Sequence, residues 1–206
     1  MWTFYLGYLI ALVTLITTPL MAWMNGQVKY FPIQLSKTAC ESPSYEIMAW
    51  GISIASTLFI THHTQQLQMT AIIGDIFAVL LAIISDQMNF PIHLACSWLA
   101  FVFYEWHLYN ERCTGFAILF ACLNIVGGML GVVTLPEIMK PLFTKTPLGP
   151  LLDWYVEWVN IDPNLSVLIQ KIRGVLQWAA IFVMGLGMLQ VAMRSTCHVE
   201  VEKKKD

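Results

Sequence analysis

Asp75 stands in the run Ile72-Ile73-Gly74-Asp75-Ile76-Phe77, an ionisable group several residues inside an apolar segment. A charge there is costly, and such groups usually face the interior of a helix bundle or a cavity. Asp75 is therefore a candidate for a proton relay, a polar-ligand site or a hydrogen-bonded packing carboxyl, the last being the plainest. Glu105 and His107 belong to Tyr104-Glu105-Trp106-His107. Two residues apart on a helix, they do not share a face. His62 and His63 lead into Thr64-Gln65-Gln66, and the chain's alternation of runs puts His107 at the same end as both. Three imidazoles suit a transition ion. The sequence offers them no neighbouring carboxylate pair or thiolate, so the expectation is no metal and no cofactor. Asp86 and His93 form a loose pair at the other end, where a cap or an interhelical hydrogen bond is the default.

No hydrolase elbow, phosphate loop or zinc-protease signature occurs, and no catalytic residue is assigned. An acyltransferase would want a His with a nearby acid, and Asp86 with His93 is the kind of pair on offer. The formal charge of −2 gives no reason to expect nucleic acid. The five cysteines show neither zinc-site nor disulfide spacing. Cys96 and Cys122 fall inside apolar runs and Cys40 in a connection. Cys113 and Cys197 flank run ends and are acylation candidates if cytosolic; unmodified small residues are the plainer reading.

The elements that must carry these groups follow from where charge is missing. Of 206 residues 57% are apolar and 12% charged, against roughly a quarter charged in soluble domains. Residues 1–28, 47–74 and 113–136 contain no Lys, Arg, Asp or Glu. Crossing a hydrocarbon core takes roughly 20 apolar helical residues, and lipid leaves the backbone no outside partner, so helices are required. The reading is an all-α membrane bundle of about six spans: 2–23, 45–61, 69–85, 90–109, 114–135 and 174–193. The first is read as an uncleaved anchor because a basic start is missing. Gly127 and Gly131 form a G-x-x-x-G on the fifth span, and Gly185 marks the sixth; all three permit close helix contact. The connection 136–173 is broken by Pro136, Pro141, Pro147 and Pro150. An interfacial helix over about 151–161 follows, with Asp153 and Glu157 on one face and Trp154, Tyr155 and Trp158 on others. Residues 194–206 form a polar tail.

Six spans put both termini on one side. Basic residues divide almost evenly between the two sides and do not orient the chain. Two short patterns agree on an orientation with both termini cytosolic. Asn164-Leu165-Ser166 is a glycosylation sequon that this arrangement places in the lumen. Lys203 and Lys204 stand fourth and third from the end, like a dilysine retrieval signal read from the cytosol. Both point to the endoplasmic reticulum membrane.

The layout resembles the damage-regulated autophagy modulator (DRAM)/Frag/Sfk superfamily of six-span proteins. The likeness rests on Phe31-Pro32-Ile33-Gln34-Leu35-Ser36-Lys37-Thr38 with Pro43, on Asp86-Gln87-Met88-Asn89-Phe90-Pro91-Ile92-His93, and on Gln177-Trp178, where Gln replaces an acid. Lys37 and the long 136–173 connection depart from the pattern. The four-span emopamil-binding-like proteins fit less well, lacking both the span count and the paired acids. The resemblance implies lipid handling: GPI-anchor remodelling, phosphoinositide regulation or phospholipid asymmetry. It carries no catalytic residues over. The expected function is a non-enzymatic subunit or scaffold of a lipid-handling assembly, with membrane lipids and a larger membrane protein as partners. The alternatives are a lipid-remodelling enzyme and a small-solute or proton-coupled transporter.

Overall fold

The computed structural model describes residues 1–28, 35–85, 87–131, 149–150, 154–155, 157 and 163–202, leaving aside the side chains of 36, 131, 163 and 195–202. Among these the chain is all-helical, with six long helices and one single turn: α1 (Trp2–Met24), α2 (Leu35–Thr38), α3 (Ser44–Gln65), α4 (Met69–Ile83), α5 (Phe90–Asn110), α6 (Thr114–Gly131) and α7 (Pro163–Glu202). By length and composition α1 and residues 164–194 of α7 are long and apolar enough to cross a membrane, while α4 and residues 114–130 of α6 are shorter apolar helices.

Three helix ends are closed by one device. At the end of α1, Gly26 at φ +70° donates to Trp23 O (3.0 Å) and Gln27 to Ala22 O (2.9 Å). This is the Schellman pairing that satisfies otherwise orphaned carbonyls. It recurs after α3, where Leu67 at φ 55° donates to Thr64 O and Gln68 to His63 O. It recurs again after α5, where Arg112 at φ 58° donates to Tyr109 O and Cys113 to Leu108 O. The last two are tight hairpin turns, α3–α4 and α5–α6, both built with a non-glycine residue in the left-handed region. At the opposite end Asn89 caps α5, its Oδ1 accepting from Ile92 N at 3.2 Å. There Tyr45 donates to Ile83 O at 2.6 Å, tying α3 to the end of α4.

The helices pack in the order α1–α3–α4–α5, with α5 also against α6 and α7, and α6 against α7. Small residues set the spacing. Ala22, Ala55, Ala71, Ala100, Ala180 and Ala192 are buried. A Cβ built on Gly51 would fall 2.0 Å from Thr14 Oγ1, and one on Gly187 2.8 Å from Leu108. The large apolar side chains largely turn outward instead: Leu6, Leu9, Val13, Ile16 and Leu20 along α1, and Ile118, Leu119, Ile125 and Met129 along α6.

The last helix begins at Pro163, well before the start expected at 174. Proline is favoured in the first helical turn, where its missing N–H costs nothing. Lys171 and Arg173, taken as the edge of an apolar run, are instead carried within the helix. Likewise α3 continues through Gln65 and takes His62 and His63 into the bundle. Of the expected helix 151–161, residues 154, 155 and 157 are described and are helical; Asp153 and Trp158 lie outside the described residues.

Two substitutions test this packing by chemical or thermal unfolding in detergent. Gly51→Ala should destabilise by about 1–3 kcal/mol, the cost of overpacking a contact that backbone attachment prevents from rotating away. Leu67→Gly should raise the midpoint, because glycine removes roughly 1 kcal/mol of left-handed strain at an exposed turn.

Candidate functional site

The two hairpins bring polar groups to one end of the bundle at matched depths. Asp75 lies six residues after the start of α4, and Tyr104 six residues before the end of α5. These helices are antiparallel neighbours, so each group sits about 9 Å in at 1.5 Å per residue. His63 is two residues from the end of α3 and itself supplies the carbonyl that closes the α3 cap. Gly74 makes room for the meeting: a Cβ there would approach the Tyr104 ring at 3.0 Å.

At the centre is Asp75, with 0% of its surface exposed. His63 Nδ1 and Asp75 Oδ2 share a hydrogen bond of 2.8 Å. The Tyr104 hydroxyl donates to Asp75 Oδ1 at 2.7 Å. One carboxyl therefore joins α3, α4 and α5. Around His63 lie His62, with ring centroids 5.5 Å apart, and His107, at 5.7 Å. Phe4 from the start of α1 packs on His62 at 5.2 Å and on Phe59 at 5.4 Å, closing the end of the cluster. His62 and His107 are 3% and 1% exposed, yet His62 Nδ1 and His107 Nε2 have no hydrogen-bond partner.

The other expected site residues are dispersed. Glu105 is half-buried on α5, while His107 two residues on is buried in the cluster. His93 Nδ1 bonds Ile84 O at 2.5 Å at the opposite end; Asp86, its expected partner, lies outside the described residues, as do Lys203 and Lys204. Gly127 and Gly185 lie 3.8 Å from Leu176 and 3.3 Å from Tyr8 by the same Cβ measure, and the tighter contact on α6 is Gly128 against Trp98 at 3.2 Å. Gly131 ends α6. Asn164 is exposed in the first turn of α7. Cys113 is buried, and its Sγ donates to Gln190 Oε1 at 3.5 Å. Burial pushes its thiol up, with Arg194 pulling the other way, which disfavours the thiolate that acylation needs. A cleft of about 190 Å³ at the far end is lined by Gln27, Val28, Lys37, Cys40, Glu41 and Gln87. Among the described residues no three His, Cys, Asp or Glu groups are placed to hold a metal ion.

Sequence reasoning singled out Asp75 and the three histidines separately and did not join them; Tyr104 was missed. The joining signal was available. Equal distances from two hairpin turns put Asp75 and Tyr104 at one level, and Gly74 beside Asp75 marks close approach by a bulky neighbour. Comparisons of the chain with known protein families, characterised proteins and solved structures give no match.

The cluster can orient an imidazole, bind a small polar guest or hold three helices together. Tyr104→Phe removes one of the two hydrogen bonds to Asp75 and should destabilise the bundle by about 1–3 kcal/mol. Combined with Asp75→Asn in a double-mutant cycle by detergent unfolding, the pair should be non-additive, since both changes act on one network.

Proposed function

We propose that the chain is an integral membrane protein of the endoplasmic reticulum, a six-span bundle that serves as a non-enzymatic subunit or scaffold of a lipid-handling assembly. The observation that carries the scaffold reading is the engagement of both Asp75 oxygens by side chains of two other helices. A carboxyl so enclosed acts as a joint between helices, whereas a transport or catalytic acid needs an oxygen free for its cargo. The outward apolar residues of α1 and α6 supply a lipid-facing surface. Trp2 and Trp23 are both exposed near the two ends of α1. Their separation of 21 residues corresponds to about 32 Å of helix, close to the hydrocarbon thickness of about 30 Å, and Trp favours both interfaces. The lipid-handling assignment rests on the resemblance to the DRAM/Frag/Sfk superfamily, and the compartment and orientation on Asn164-Leu165-Ser166 and the Lys203-Lys204 pattern.

A lipid-remodelling enzyme is the second reading, favoured by the His63–Asp75 bond. An imidazole oriented by a buried carboxylate is the usual form of a general base.

Native purification in mild detergent, with an internal tag that leaves residues 203–206 free, separates these readings. The scaffold reading expects a stoichiometric larger membrane protein to remain bound. It expects no acyl-chain turnover by the purified chain alone in lipid. Turnover without a partner transfers the assignment to the enzyme. Asp75→Asn that folds and still holds the partner is the expected behaviour of a joint. A glycosidase-sensitive mobility shift abolished by Asn164→Gln is the expected sign of a lumenal start to α7.

A further inference from the structure

We infer that the outer stripe of α5 through Ala95, Trp98, Val102, Glu105 and Tyr109 docks a transmembrane helix of another protein, one that carries an arginine or lysine at the depth of Glu105. The inference rests on the membrane-scaffold reading above and names the chemistry of the partner.

Its first support is a carboxyl left unanswered. Glu105 is half-buried and makes no hydrogen bond or ion pair with any described residue. It stands five residues before the end of α5, roughly 7–8 Å in from that end at 1.5 Å per residue. It directly follows Tyr104, so it shares the level of the enclosed Asp75. Side chains on a helix lean towards the N-terminus of their own helix. The nearer end of α5 is its C-terminus, so Glu105 leans towards the membrane interior and away from water. Acyl chains offer it no donor, and charged groups at such depth pair with one another.

The helices packed on α5 do not supply the missing cation. On α4 the one charged residue is Asp75, already held by His63 and Tyr104. No residue of α6 is charged. On α7, Arg194 Nη1 lies 3.5 Å from Glu111 O and 3.7 Å from Cys113 Sγ, at the turn. Lys171 and Arg173 come about six turns earlier on the same helix.

Spacing is the third support. Ala95, Trp98, Val102 and Tyr109 are exposed, and with Glu105 they recur in alternating steps of three and four. That is the spacing of a seam on which a second helix packs. Ala95 allows a neighbouring backbone to come close. A second copy of this chain suits the seam poorly. Two copies in one orientation hold their Glu105 groups at one depth, where like charges meet, while Arg112 and Arg194 stay with the α5–α6 turn. An arginine from another helix offers a paired, charge-assisted bond instead.

The test uses the full chain, fluorescently labelled in phosphatidylcholine vesicles, and a synthetic leucine–alanine transmembrane helix with one arginine placed about 8 Å from its end. Energy transfer should show that peptide binding roughly 3- to 20-fold tighter than its all-apolar counterpart. Glu105→Gln should remove the difference, and Glu46→Gln, in the first turn of α3, should keep it. Equal binding of the two peptides by the wild type overturns the proposal, whatever the variants do. So does a preference that survives in Glu105→Gln. Self-association of the wild type that Glu105→Gln abolishes gives the seam to a second copy and also overturns it. Native purification decides the scaffold reading separately: a stoichiometric partner retained equally by Glu105→Gln sinks this interface and leaves that reading standing.

Discussion

A carboxyl group removed from water must find its hydrogen bonds in the protein, and Asp75 makes this demand at the centre of the bundle. Leaving such a group unpaired costs several kcal/mol, which exceeds most single packing terms. Its two bonds, to His63 on α3 and Tyr104 on α5, fix the axial register of three helices at once. Apolar contacts alone would not do so, because a helix face of alanines and leucines can slide by a turn at little cost. The smooth alanine and glycine interfaces of this chain need such a polar stop.

The stop is anchored by the hydrogen-bonded turns beside it. Both hairpins at this end close with the same pairing, with Leu67 and Arg112 held at positive φ. His63 takes part in both systems: its carbonyl ends α3 and its ring meets Asp75. Movement in the α3–α4 turn therefore reaches the carboxyl directly. Phe4 closes the same end from the first turn of α1, its ring packed at a tilt against His62 and Phe59. The opposite end is joined differently, through Tyr45, Asn89 and His93 bonding the backbone. One end is thus a side-chain network around a carboxyl, the other a set of caps.

The helical nature of the chain was legible because charge-free runs of more than twenty residues leave little else for the backbone to do. The α5–α6 turn was legible too, since the short polar string Asn110-Glu111-Arg112-Cys113 interrupts those runs. What failed was the use of charge as a boundary. Lys171 and Arg173 sit inside α7 because a helix ends where its backbone caps, and long basic side chains can reach out from within it. The histidines failed for a related reason: polar character suggested a loop, yet imidazoles near a helix end can turn inward when a carboxyl waits for them. Asp75 was visible as an anomaly, but its partner was not, because periodicity reports which face a residue occupies and says nothing of which neighbour stands opposite. Tyr104 gave no warning, since tyrosine in an apolar run reads as one more aromatic.

The same cluster holds two opposite conditions within a few ångströms. Asp75 is fully engaged, whereas His62 and His107 present nitrogens to nothing. A purely structural network would be expected to spread its bonds, for a half-satisfied network is worse than an apolar core. Replacing either imidazole by leucine or phenylalanine would remove the unpaired atom and keep the packing. The chain instead places histidine at both positions around the one histidine that a carboxylate already orients. This end of the bundle therefore combines a carboxyl whose bonds lock three helices with two imidazoles whose enclosed nitrogens are held by packing alone.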